Sequence, residues 1–358
     1  MSAQPSPALL RAPKRVLWVL LAVATIAAGL AVFTPRAAAA GWLIAFVFVA
    51  TIPIGSLEVL MIHSLTGGRW GERLGPVWQN ATVIIPLLGI VLIPVLVAMP
   101  VLYAWMGDAK NVTPSVAHFY LNWPLYVARS VIALLGWSAL ALMLPRIGGR
   151  PGVLLAGLGM VFQAIMVALV SVDWILSAEP VFISTSFGAT IAIVQLLAAL
   201  DFAALAAPSD LDENTVSDLA GLMLAVTLGL TYINFMVVLV MWYADLPDKI
   251  DFFVTRALWP WKWLAIVAFA LGSVAPILAL LLQKVRLSRR ALRAVAISSL
   301  TGIALYFTWL LAPVYGPWAL ATPLLALLCI ACAFAALLGA GWPAFLFRHV
   351  SNQSPAHE

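Results

Sequence analysis

Apolar residues in this chain come in long unbroken stretches, with polar residues gathered in the short segments between them. Ten stretches can be counted, near residues 16–33, 41–63, 81–105, 123–144, 152–171, 182–206, 217–243, 260–283, 291–312 and 318–346. About 20 mainly apolar residues span the hydrocarbon core as a helix, because only a helix satisfies every backbone N–H and C=O within one segment. The alternating ten-residue pattern of a membrane barrel is missing. The pattern therefore predicts an all-α integral membrane protein of about ten transmembrane helices. It forms a single polytopic domain over residues 1–358, with connectors too short for a soluble domain.

Composition agrees: 64% of the 358 residues are hydrophobic and 9% charged, against roughly 45–50% and 25% in soluble domains. Lipid is the expected solvent. The net charge of +5 does not point to nucleic acid, since the basic residues form short loop clusters rather than one face of a soluble domain. Their pattern sets orientation instead. With the N-terminus in the cytoplasm, thirteen fall inside (Arg11, Lys14, Arg15, Arg69, Arg73, Arg146, Arg150, Lys284, Arg286, Arg289, Arg290, Arg293, Arg348). Five fall outside, Arg36, Lys110, Lys249, Arg256 and Lys262. That bias places both termini in the cytoplasm. A signal peptide is the alternative reading of the first run, with its basic start and the small residues Ala37 to Ala40 after it; the remaining orientation is then unchanged. The two cysteines, Cys329 and Cys332, form a CxxC inside the last run, without the following His of a haem attachment site or a second pair for zinc. They read as apolar packing.

Ionisable groups inside hydrocarbon cost roughly 2.5–3.5 kcal/mol each on insertion scales, so each calls for a partner or a function. Glu58 and His63 of the second run and Asp201 of the sixth fall on the cytoplasmic half. Arg129 of the fourth run and Asp173 at the end of the fifth fall on the periplasmic half. Gln163, Gln195, Thr231, Tyr232 and Asn234 lie between them, near mid-span. Carboxylates and His exchange protons, while hydroxyls and amides hold bridging water, so two polar half-paths meeting at a neutral centre suit proton movement. Helix-to-helix hydrogen bonding uses the same residue types and is the reading preferred for Gln163 and Gln195. Glu58 and Asp201 are expected to begin a path that continues through Tyr232 and Asn234 toward Asp173. Arg129 and Asp173, at matching depth, are expected to pair. Neither covalent nor metal-held cofactors are expected, since the only His in or at the end of a run cannot supply the paired ligands of a b-type haem.

Four stretches carry a family resemblance. SVDWILSAEPVFISTSFG, from Ser171 to Gly188, resembles the Asp-Trp, Glu-Pro, Ser-Thr, Gly signature of the ActF subunit of alternative complex III, within the NrfD-like polysulfide reductase group. IHSLTGGRWGERLGPVW from Ile62, FYLNWPLYVARSV from Phe119 and MWYADLPDKIDFF from Met241 follow in the family's order. The likeness covers roughly residues 41–313. It implies two four-helix bundles, residues 41–171 and 182–313, flanked by the first and last helices. By that resemblance Asp173, Trp174 and Glu179 match the signature, His63 matches a helix-end His, and Arg129 matches the Arg after Asn-x-Pro. Asp173, Trp174 and Glu179 are then candidates for docking a periplasmic partner.

The function so implied is that of a membrane subunit of a quinol:electron-acceptor oxidoreductase in the bacterial cytoplasmic membrane. It conducts protons and contacts quinone without a redox centre of its own, beside an NrfD-like paralogue and iron–sulfur and cytochrome c subunits. Two other readings stand beside it. An independent transporter is favoured by interrupted helices at corresponding positions of two halves. A purely structural anchor has no need of Glu58, Asp201 or Arg129 in the membrane.

Overall fold

A computed structural model describes residues 34–339, apart from 108–113, 180–181, 183, 209 and 244–246. The first apolar run, with its signal-peptide alternative, and the charges Arg11, Lys14, Arg15, Lys110 and Arg348 lie outside the described residues. The principal helices are α1 (Pro35–Thr66), α2 (Arg69–Thr82), α3 (Ile85–Val97), α4 (Trp123–Met143), α5 (Gly149–Trp174) and α6 (Phe187–Ala206). They continue as α7 (Glu213–Tyr243), α8 (Pro247–Ala257), α9 (Trp261–Phe269), α10 (Ala275–Leu281), α11 (Arg289–Tyr315) and α12 (Thr322–Gly339). No strand occurs among the described residues.

Eight stretches are long and apolar enough to cross a membrane: α1, α2 with α3, α4, α5, α6, α7, α9 through α10, and α11. They correspond to the second through ninth apolar runs. The tenth run contributes a shorter apolar helix over Pro317–Ala331 among the described residues. The third run, read from the sequence as 81–105, begins earlier and ends sooner, since its spanning stretch is Arg69–Val97. Hydropathy marked only its apolar part. The helix starts where Gly67 and Gly68 take positive φ of 71° and 114° to turn the chain back, conformations glycine adopts without steric cost. α2 then buries Gly71, Leu74, Trp78 and Ala81 on one stripe while its charged face stays exposed.

α1 is the central helix. In its apolar window 83% of residues are buried, against 17% in α7 and 28% in α5, which therefore stand at the periphery. Its most extensive packing is on α6, followed by α12, α2, α5 and α11. α1 to α5 pack on one another, as do α6, α7, α9, α10 and α11, and the two groups meet chiefly through α1 against α6. Gly55 makes that approach close, because a Cβ there would collide with the carbonyl of Gln195.

α5 shows why the surroundings are lipid. Gly152, Ala156, Gly159, Gln163, Val167, Val170 and Trp174 form its buried stripe at helical spacing. The opposite stripe, Leu154, Leu158, Val161 and Ile165, is equally apolar and exposed. A helix apolar on both faces belongs in hydrocarbon, with small residues turned to its neighbours.

Candidate functional site

A buried polar network ties together four helices near mid-span. α5 places Gln163 where its Nε2 donates to the Glu58 carboxylate of α1 at 3.3 Å and to Oε1 of Gln195 of α6 at 3.0 Å. Gln163 Oε1 accepts from the indole N–H of Trp137 of α4 at 2.7 Å. Gln163, Gln195 and Trp137 are almost completely buried and Glu58 is 8% exposed. Both donor hydrogens and the acceptor of the Gln163 amide are engaged, which fixes its orientation. The helix-to-helix role read for Gln163 and Gln195 is realised, with the addition that it holds Glu58.

Trp137 also stands edge-on to Trp174, the last residue of α5, at 6.3 Å between ring centres, and a second polar layer begins there. Trp174 Nε1 donates to Ser130 Oγ at 2.9 Å. Its backbone carbonyl accepts from the hydroxyl of Tyr103, which is 2.9 Å from that of Tyr126. All of these side chains are buried.

The end of this layer is closed by an ion pair. Arg129 donates through Nε to Asp173 Oδ2 at 2.6 Å and through Nη2 to Oδ1 at 2.8 Å, a bidentate geometry. Nη2 also reaches the Tyr120 carbonyl at 2.9 Å, and the guanidinium lies 4.0 Å from the centre of the Tyr120 ring. The pairing expected from depth is present, with Asp173 fully buried.

A second buried cation was missed. Arg256 of α8, counted from the sequence only as one of five basic residues on the outer side, is 2% exposed. It donates to Glu179 at 2.7 Å and to the carbonyls of Phe252, Trp309 and Leu310, and it lies 3.5 Å above the Phe252 ring. The signal was available in the sequence: Phe252 and Arg256, four apart, share a helix face. Glu179, expected to dock a partner, is thus bound inside the chain, with its side chain 32% exposed.

The expected path through Tyr232 and Asn234 is not formed. Tyr232 is 65% exposed on the outer face of α7. Asn234 turns inward but into the second group of helices, where its Nδ2 donates to Leu230 and its Oδ1 accepts from Tyr306 at 3.3 Å. Two residues on a helix stand about 200° apart, so the pair cannot share a face. His63 also stands apart from the network: Nε2 bonds the Gly68 carbonyl at 2.9 Å, and the ring packs edge-on to Trp70 at the turn between α1 and α2.

Asp201 is fully buried, and the polar group beside it is the Ser299 hydroxyl of α11. Gln195 and Asp201 lie about 120° apart around α6 and about 9 Å along it, so Asp201 does not join Glu58. In the acidic loop before α7, Asp212 serves as a helix cap, accepting from the Thr215 hydroxyl at 2.6 Å and the Thr215 amide at 3.3 Å. The Thr215 bonds hold its carboxyl below the usual range. No family model and no curated protein matches the chain.

Proposed function

We propose that this chain is the ActF-like membrane subunit of a quinol:electron-acceptor oxidoreductase, in the bacterial cytoplasmic membrane, and that it conducts protons through α1 to α5. The observation that carries this reading is the Glu58 carboxylate, buried in a network shared by four helices. An anchor gains nothing from an acid in that position, given the cost of burying it. Gln163 to Asp173 is ten residues of α5, or about 15 Å by helical rise, and this stretch carries the ordered Trp174, Ser130, Tyr103 and Tyr126 groups.

In this reading Glu58 takes protons from the basic, cytoplasmic end, and Gln163 holds the carboxyl in place. The hydroxyls of Ser130, Tyr103 and Tyr126 line the onward way to Asp173, with mobile water between the fixed groups. Arg129 fixes the Asp173 carboxylate through two parallel hydrogen bonds, which gives the far end of the way a defined geometry. Iron–sulfur and cytochrome c partners sit at the Asp173 end, and quinol, oxidised to quinone, is the electron donor. The transporter reading is weakened by the helix breaks. One lies at Val83–Ile84 between α2 and α3, in the second spanning stretch of its group. The other is the π segment Ala270–Val274, in the third of its group, so the two do not correspond.

The test uses the complex copurified from native membrane and reconstituted in vesicles. Glu58→Gln is expected to leave assembly and quinol oxidation intact while lowering protons released per electron. Asp201→Asn, outside the network, is expected to change neither. An unchanged stoichiometry in assembled Glu58→Gln removes the conduit.

A further inference from the structure

A cavity of about 280 Å³ lies between α6, α7, α9 and α11, outside the network described above. It is elongated along the helix axes. Its walls run from Leu230 to Val238 on α7, from Ala265 to Ser273 on α9 and the π segment, and from Gly302 to Leu310 on α11. Each wall covers eight residue steps, about 12 Å by helical rise, and one leaflet's half of the hydrocarbon core is about 15 Å thick. The stacked rings of Phe182 and Phe252, 3.8 Å apart, close the end beside the Arg256–Glu179 pair. α11 and the π segment close the mid-membrane end, where a Cβ on Gly302 would strike the Gly272 backbone.

The long side is open. α7 packs on the π segment and α10 but has little contact with α9, and Val238 and Phe269, on the two lips of the gap, are each 52% exposed. What enters by that gap comes from the hydrocarbon. Inside, Thr190 and Thr231 donate to backbone carbonyls one turn back, and Asn234 and Tyr306 bond each other. The occupant meets engaged polar groups among apolar side chains, surroundings that suit a hydrocarbon chain. A charge stands over the mouth. Lys262 precedes Phe269 by seven residues on α9, within about 20° around the axis, and lies about 4.5 Å beyond Ala265 toward the Asp173 end. It is exposed, and no carboxylate pairs with it among the described residues. Its neighbours Trp259 and Trp263, also exposed, suit the headgroup layer.

We propose that this cavity holds one acyl chain of a glycerophospholipid whose phosphate sits on Lys262, the second chain staying outside the gap between α7 and α9. The cation at headgroup depth and the apolar slot about one leaflet deep stand one above the other, as the phosphate and chain of such a lipid do. A fatty alcohol of the same length fills the slot but offers Lys262 no charge. The site is independent of proton conduction through α1 to α5.

The experiment reconstitutes the full chain in vesicles of phosphatidylethanolamine and phosphatidylglycerol. A trace of the phosphatidylglycerol carries a diazirine midway along one acyl chain, and labelled peptides are mapped after photolysis. Labelling of the cavity walls on α7 and α11 is expected to exceed that of the lipid-facing α5 stripe, Leu154 to Ile165, and a fatty alcohol with the same diazirine chain should not reproduce the excess. Lys262→Gln, a surface change, should lower cavity labelling about fivefold, and Lys262→Arg should restore it. Ala265→Phe, which fills the upper cavity, should abolish it and leave α5 labelling unchanged. Cavity labelling no stronger than that of α5, equal labelling by the fatty alcohol, or wild-type labelling in folded Lys262→Gln or Ala265→Phe overturns the proposal.

Discussion

Asp173 and Glu179 each bind a guanidinium, that of Arg129 partly buried and that of Arg256 buried, but they are not equivalent. Asp173 supplies both oxygens to Arg129 and is fully buried, while Glu179 supplies one oxygen to Arg256 and remains partly exposed. Arg256 keeps three backbone carbonyls and the Phe252 ring if its carboxylate is lost, whereas Arg129 keeps one carbonyl and the Tyr120 ring. Breaking a buried pair by removing one charge costs about 3–5 kcal/mol, largely because the other charge stays behind. Asp173→Asn is therefore expected to lower folded yield and the detergent unfolding midpoint far more than Glu179→Gln, whose amide oxygen still accepts from Arg256. Equal losses in the two variants, measured by size-exclusion yield and thermal unfolding, would count against this account. Gln163 invites a matching test. Its replacement by Leu strands the Trp137 N–H and removes the donor to Glu58, a loss of about 1–3 kcal/mol for the unsatisfied group, and the unfolding midpoint reads it.

Helix contacts decide which of these groups meet, and here glycine at the α1–α6 crossing sets the geometry. Gly55→Ala pushes a methyl group into the Gln195 carbonyl and is expected to destabilise by about 1–3 kcal/mol, the range for overpacking a close contact. Gly229 of α7 has open space around the position of a Cβ, so Gly229→Ala should be neutral or slightly stabilising through helix propensity. A Gly55→Ala midpoint no lower than that of Gly229→Ala would show that the crossing yields. The same helices explain what the sequence could reveal. Apolar run length located eight spanning stretches, because hydrocarbon thickness imposes it, and depth along helices was enough to pair Arg129 with Asp173. Depth could not say which side of α7 faces inward, so Tyr232 was placed on a path while it points outward. Nor could it assign neighbours: Gln163 meets Glu58, 105 residues away in the chain, only because α1, α5 and α6 converge. Arg256 was lost for a different reason. Its helix is short and amphipathic at the end of the bundle, where charge count suggests solvent and the Phe252 and Trp309 rings supply burial instead.

The assembly of these helices gives the protein two chemically unlike ends. Arg69, Arg73, Arg146, Arg150, Lys284, Arg286, Arg289, Arg290 and Arg293 gather at the end where α1, α4, α6 and α10 finish. Arg289 bonds the Ala207 and Pro208 carbonyls there, joining the start of α11 to the loop after α6. The other end carries the two ion pairs and the aromatic Trp259, Trp261 and Trp263, of which Trp259 and Trp263 are exposed. Basic loops are retained in the cytoplasm during insertion, and exposed tryptophans at the opposite end suit the headgroup layer, so the Asp173 end is expected to face outward. Reporter fusions at Lys110, Asp212 and Lys249 should then read outside, inside and outside. The central one is the sharpest of the three, because Asp212 sits in an acidic loop that charge counting over acids would send outward, whereas the rule counts only Lys and Arg. Arg289 and Arg293 bond the start of the same loop at Ala207, so the loop and the basic cluster must lie on one side. An outside reading at Asp212 together with an inside reading at Lys110 would invert the protein, turning Glu58 to face the outer half and reversing the direction assigned to the proton path.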